Sequence, residues 1–113
     1  MYIDMSITKR WFDKIISGVK PIEGRKKSPK WEKIRVNQIL NIKCDETGEI
    51  RQFLVTHINE YDNLKHYLIC EGIDRCLPGV RTIEEGIEIY KQWSTEQELQ
   101  KYKFLAIGLK VIN

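Results

Sequence analysis

The chain has 113 residues, 42% of them hydrophobic and 31% charged, with a formal net charge of +3. That length suits one domain with a core of its own, and no run approaches the roughly 18 apolar residues of a membrane helix. The charge is too small to mark a polyanion binder by itself, and three cysteines (Cys44, Cys70, Cys76) without a CxxC pair argue against a zinc site and for free thiols.

The opening "MYIDMSI" places Ile3, Met5 and Ile7 at a spacing of two, as in a strand. It has no basic start followed by an apolar run, so it is not read as a signal peptide. In "TKRWFDKIISG", Trp11 pairs with Ile15 and Phe12 with Ile16 at helical spacing. Thr8 suits the helix start and Gly18 its left-handed end.

Next comes "GVKPIEGRKKSPKW". Between Lys20 and Lys33 six basic residues stand against Glu23 and Glu32, a local excess of four, so the rest of the chain sums to −1. If "PIEGR" is extended, as Pro21 encourages, Glu23 and Arg25 project to one face. Lys20 sits just upstream, by the helix end. An arginine held by a carboxylate can grip a phosphate or a base edge, although an exposed ion pair of this kind is worth little in itself. Lys26, Lys27 and Lys30 are candidates for a phosphate backbone, and Trp31 for stacking on a base, with core burial as its competing role.

"QILNIKC" and "RQFLVTHI" around "DETGE" predict a hairpin turning at Gly48. In its second strand Leu54, Thr56 and Ile58 are expected on one face, and Phe53, Val55 and His57 on the other. Both faces carry apolar groups, so the sheet should be covered on both sides or curled. "YDNLKHYLICEG" reads as a helix ending on Gly72. "TIEEGIEIYKQW" reads as a helix capped by Thr82 with Glu85, carrying an Ile83, Ile87, Tyr90 stripe. "STEQELQKY" allows another helical turn, and "KFLAIGLKVI" closes the chain as a strand. Two or three helices among antiparallel strands make the fold class α+β, in a single domain over 1–113. The first and last strands are expected in one sheet.

Glu71 precedes the helix-ending Gly72. It is a surface charge, or a proton-transfer group if the fold brings it to Lys20 and Glu23. His57 and His66 have no ligand spacing, and no metal or cofactor is expected. No phosphate-cradling glycine loop or nucleophile elbow is present.

The segment "FDKIISGVKPIEGRKKSPKWEKIRVNQILNI" resembles the opening motif of the ASCH domain, through Gly18, Lys20, Glu23 and Arg25. The stretch "EGIDRCLPGVRTIEEGIEIY", with Glu71, Gly72, Pro78, Gly79, Gly86 and Tyr90, is similar to that family's middle segment, and "KFLAIGLKVI" to its closing strand. The resemblance implies a PUA-like small mixed or antiparallel β-barrel with flanking helices. It also implies a cleft gathering Lys20, Glu23, Arg25 and Glu71, and roles tied to RNA. Some small members hydrolyse N4-acetylcytidine with a lysine, a threonine three positions later and a further glutamate, and some cut RNA. Lys20 and Glu71 match the lysine and that glutamate. Glu23 stands where the threonine nucleophile belongs, which argues against the same amidohydrolase mechanism.

The leading expectation is therefore a nucleic-acid-binding module. Lys20, Arg25, Lys26, Lys27, Lys30 and Trp31 would meet RNA, another single strand or a nucleoside. The alternative is a small hydrolase of N4-acylated cytidine, or a ribonuclease, using Lys20, Glu23 and Glu71. A protein-interaction adaptor is the third reading. The chain is expected to be intracellular, in cytoplasm or nucleus, with no membrane role.

Overall fold

Ile3, Met5 and Ile7 fall in strand β1 (Tyr2–Ile7) of the computed structural model, which describes residues 2–112. Met5 and Ile7 are buried on one side, as a spacing of two requires. Helix α1 (Lys9–Ile16) buries Trp11, Phe12 and Ile15. Thr8 has the extended N-cap conformation, but its side chain makes no capping bond, and the residue borders a cleft. Gly18 ends the helix at φ +82°, a left-handed value that suits a residue without Cβ. "IEGRK" is extended, as strand β2 (Ile22–Lys26).

The hairpin is β3 (Ile39–Cys44) and β4 (Ile50–Tyr61). Four helical segments follow, more than the two or three expected: α2 (Leu64–Glu71), α3 (Ile73–Cys76), α4 (Ile83–Tyr90) and α5 (Glu96–Lys101). The extra one, α3, is a single turn begun by Gly72. Thr82 caps α4 by accepting from Glu85 N, and α5 opens with a full capping box of Thr95 and Glu98. Strand β5 (Phe104–Val111) closes the chain. No helix among the described residues is long and apolar enough to cross a membrane.

The five strands form one sheet in the order β1-β3-β4-β5-β2. β1 runs parallel to β3, and the other neighbours are antiparallel. The sheet curls into a half-barrel, with β1 and β2 as its two free edges. The first and last strands thus share the sheet but lie two strands apart. Phe104 to Gly108 are buried on both faces, which answers the double-sided apolar pattern. On one face Tyr67 of α2 stacks on Phe104, with ring centroids 5.5 Å apart, and Tyr90 of α4 meets the same ring edge-on.

One register expectation fails. Between Val55 and His57 the pairing of β4 with β5 shifts by a bulge. Val55 faces Leu109 and Ile58 faces Ile107, so Ile58 shares a face with Phe53 and Val55, not with Leu54. An extra residue in one strand reverses the alternation beyond it. The His57 ring fills the space over Gly108, where a Cβ would stand 2.2 Å from it.

Gly24 and Gly86 are both crowded, with different consequences. A Cβ on Gly24 would sit 2.6 Å from the Tyr67 ring, which Phe104 already confines. Gly24→Ala should therefore lower stability by about 1–3 kcal/mol, the usual range for overpacking. At Gly86 the nearest atoms are methyl ends of Ile73, Leu68 and Leu77, which can rotate away. Gly86→Ala also gains about 1 kcal/mol of helix propensity, so its net effect should stay below about 1 kcal/mol. Urea midpoints of the two variants check this order.

Candidate functional site

Period-two geometry puts Glu23 and Arg25 on one face of β2, and β5 fixes them there through Ile107 and Leu105. Arg25 donates to Glu23 Oε2 from Nη2 at 2.8 Å and from Nε at 3.2 Å. Lys20 approaches the other oxygen, Nζ to Oε1 3.4 Å. Lys20 Nζ also donates to Ile22 O at 2.6 Å and to Cys76 O. Three N–H donors thus meet three acceptors. Lys20 is 1% exposed and Glu23 7%, so the group is a buried ion triad.

Burial pushes the Lys20 pKa down, and the facing Glu23 offsets part of that. The three acceptors around it favour the ammonium form. Burial alone would raise the Glu23 carboxyl, but the Arg25 and Lys20 charges outweigh it and its pKa lies below the ordinary value. The triad therefore carries a fixed carboxylate between two cations.

A cleft of about 350 Å³ opens beside the triad. Ser6 and Ile7 border it from the end of β1, and Glu23 to Lys26 from β2, so it touches both free edges of the half-barrel. Trp11, Tyr90, Trp93 and Phe104 supply aromatic walls. Trp93 is 50% exposed and meets Tyr90 edge-on, centroids 6.1 Å apart. Arg10 lies over the Trp11 ring at 4.3 Å, with Lys20 at 5.8 Å.

Of the residues singled out from sequence, Lys20, Glu23, Arg25 and Lys26 line this cleft. Glu71 does not, which corrects the expected convergence. It lies on the buried face of α2 with Leu64, Tyr67 and Leu68, and there β4 captures it. Its carboxylate accepts from Asn59 Nδ2 at 3.0 Å and from the Tyr61 hydroxyl. That bond to Glu71, with burial, pushes the Tyr61 pKa up to about 12.

Trp31 is 5% exposed, so the core role prevails over an open stacking ring. Its ring supports Arg25 at 5.7 Å and Lys30 at 5.2 Å. Lys26 pairs with Glu98 at 3.2 Å, Lys27 with Glu60, and Lys30 donates to Asp4 O at 2.6 Å. Sequence reasoning passed over Trp93. Its spacing of three from Tyr90 continues the α4 stripe into the cleft, and that was the available signal.

A mixed five-stranded half-barrel with helices on it and a cleft at its edges defines a PUA-like domain. The chain belongs to the ASCH domain family, whose profile matches residues 5–113. The hypothetical protein PH0355 superposes with a TM-score of 0.90 at 34% identity, covering 99% of this chain and 100% of that one. Protein PF0455 from Pyrococcus furiosus gives a TM-score of 0.81 at 29% identity, covering 100% and 99%. ASCH from Zymomonas mobilis shares the fold, with a TM-score of 0.66 at 16% identity over 99% of this chain and 73% of that one. No curated protein matches the chain.

Glu23→Gln would leave Lys20 buried without its counter-charge, and should cost about 3–5 kcal/mol in urea unfolding. The pH dependence has a definite sign. A folded pKa below the ordinary 4.5 means that Glu23 stabilises above that pH, and that this is lost as pH falls through the folded value. The slope of stability against pH below about 4.5 should therefore be shallower in the variant than in the wild type.

Proposed function

We propose that the chain binds unpaired RNA, another single strand or a single nucleotide in the cleft beside β2. The observation that carries this reading is the setting of Arg25. Its guanidinium is held by Glu23 Oε2 on one side and lies 5.7 Å from the Trp31 ring. Its side chain keeps 29% of its surface open, and it borders the same cleft as the half-exposed Trp93. A pre-positioned fork suits phosphate or a base edge, and an open ring beside it suits a base face. The ASCH family's frequent link to RNA binding supports the same reading.

Lys26, Lys27 and Lys30 contribute field more than contact, because each has a partner within the chain. The hydrolase reading is less well supported. Glu71 stands apart from the cleft, and Lys20 Nζ is turned to two main-chain carbonyls and Glu23.

Fluorescence anisotropy with labelled single-stranded RNA at low salt tests the proposal. Arg25→Ala should weaken binding at least about tenfold, the scale of one charge-assisted contact. Trp93→Ala should cost about 1–3 kcal/mol, the usual loss of a stacked base. Lys27→Ala should change affinity less than about threefold, as for an exposed charge pair. Absence of binding at about 50 mM salt, where electrostatic affinity is near its strongest, would sink the reading, and so would an Arg25→Ala variant that binds normally.

A further inference from the structure

Lys27 N donates to Lys103 O at 2.8 Å, and Leu109 N to Pro21 O at 3.0 Å, at the two ends of the β2–β5 pairing. Antiparallel pairs alternate, so Glu23 and Arg25 also exchange their bonds with β5. The N–H and C=O groups of Ile22, Gly24 and Lys26 therefore point to the free edge. Two of those residues already have partners for their carbonyls. Ile22 O accepts from Lys20 Nζ and Lys26 O from Ser28 N.

Gly24 lies between them, is buried, and borders the cleft. Its side-chain direction is filled by the Tyr67 ring. What Gly24 offers at this edge is main chain, one donor and one acceptor side by side. No turn or loop main-chain bond among the described residues takes either group. Buried main-chain groups in folded proteins find partners in protein or ordered water, and the cleft is the route by which a ligand can reach this pair and take the place of water.

The volume and walls limit what that partner is. About 350 Å³ is near the small end of ligand sites and has room for one flat ring. Trp93 and Tyr90 provide aromatic surface, and Arg25 waits beside the edge for an attached phosphate. An unpaired base has adjacent donors and acceptors on its Watson–Crick edge, which proteins read when the base is splayed out. We infer that the cleft takes a single unpaired nucleobase, its Watson–Crick edge paired with the Gly24 main chain and its face against Trp93. This rests on the nucleic-acid reading above and goes beyond it: the determinant is the base edge, and duplexes are excluded because pairing occupies that edge.

The test is a titration of the ¹⁵N-labelled protein followed at the Gly24 amide and the Trp93 indole. The ligands are the four ribonucleoside 5′-monophosphates and their counterparts methylated on the pairing edge, at N1 of the purines and N3 of the pyrimidines. Ribose 5-phosphate reports on phosphate alone. At least one unmodified nucleotide should shift both signals, its methylated counterpart should bind at least tenfold more weakly, and ribose 5-phosphate should leave Gly24 in place. Equal binding of methylated and unmodified nucleotides overturns the inference, as does nucleotide binding that leaves the Gly24 amide unmoved. In both cases the nucleic-acid reading survives. If neither nucleotides nor single-stranded RNA bind, that reading falls and takes this one with it.

Discussion

One carboxylate held between two cations organises this domain. Placing Glu23 and Lys20 out of water costs several kcal/mol per ion unless geometry compensates. The compensation comes from separate parts of the chain. Arg25 reaches Glu23 from two residues away, and Lys20 bonds the carbonyls of Ile22 in β2 and Cys76 in α3. Lys20 N also donates to Lys14 O at the end of α1. The triad thus joins helix end, edge strand and a single-turn helix, and it fixes how β2 stands at the margin of the sheet. Removing the Glu23 charge would leave Lys20 buried without its counter-charge where these elements meet.

The basic stretch gains a different meaning from this. A half-barrel has two free edges, and free edges invite unwanted pairing. Here lysines lie along both. Lys30 covers Asp4 O on β1, Lys26 ties β2 to Glu98 of α5, and Lys27 ties the end of β2 to Glu60 of β4. Such partly exposed pairs are worth about 0–1 kcal/mol each, so their effect is placement more than stability. The stretch of edge at Gly24 stays open, and the cleft lies there.

Local patterns were legible and long-range encounters were not. A spacing of two was enough to place Glu23 beside Arg25, because strand geometry alone decides it. The α1 stripe, the hairpin around Gly48 and the cap at Thr82 were readable for the same reason. The bulge at Thr56 was not, since it depends on Gly108 leaving room for His57, some fifty residues away. Glu71 and Trp31 show the same limit. Whether an acid turns to the cleft or to Asn59, and whether a tryptophan is buried or open, is settled by packing between distant segments. Trp31 and Trp93 both lie near lysines in the chain, yet only Trp93 reaches the cleft.

The ionisation of the aromatic groups behind β2 sets the character of the cleft. Burial pushes the Tyr67 and Tyr90 hydroxyls well up, and the Glu23 charge adds to both. They remain neutral across the physiological range. In the triad, the Glu23 carboxylate offsets much of the positive charge that Lys20 and Arg25 bring. A site of that kind attracts an anion only weakly, and the basic excess of residues 20–33 adds a modest field, in a chain that carries +3 overall. Affinity in such a cleft has to come from contact: ring against ring, and donor against acceptor at short range. Those contacts discriminate between ligands of equal charge, which a lysine-rich surface cannot do.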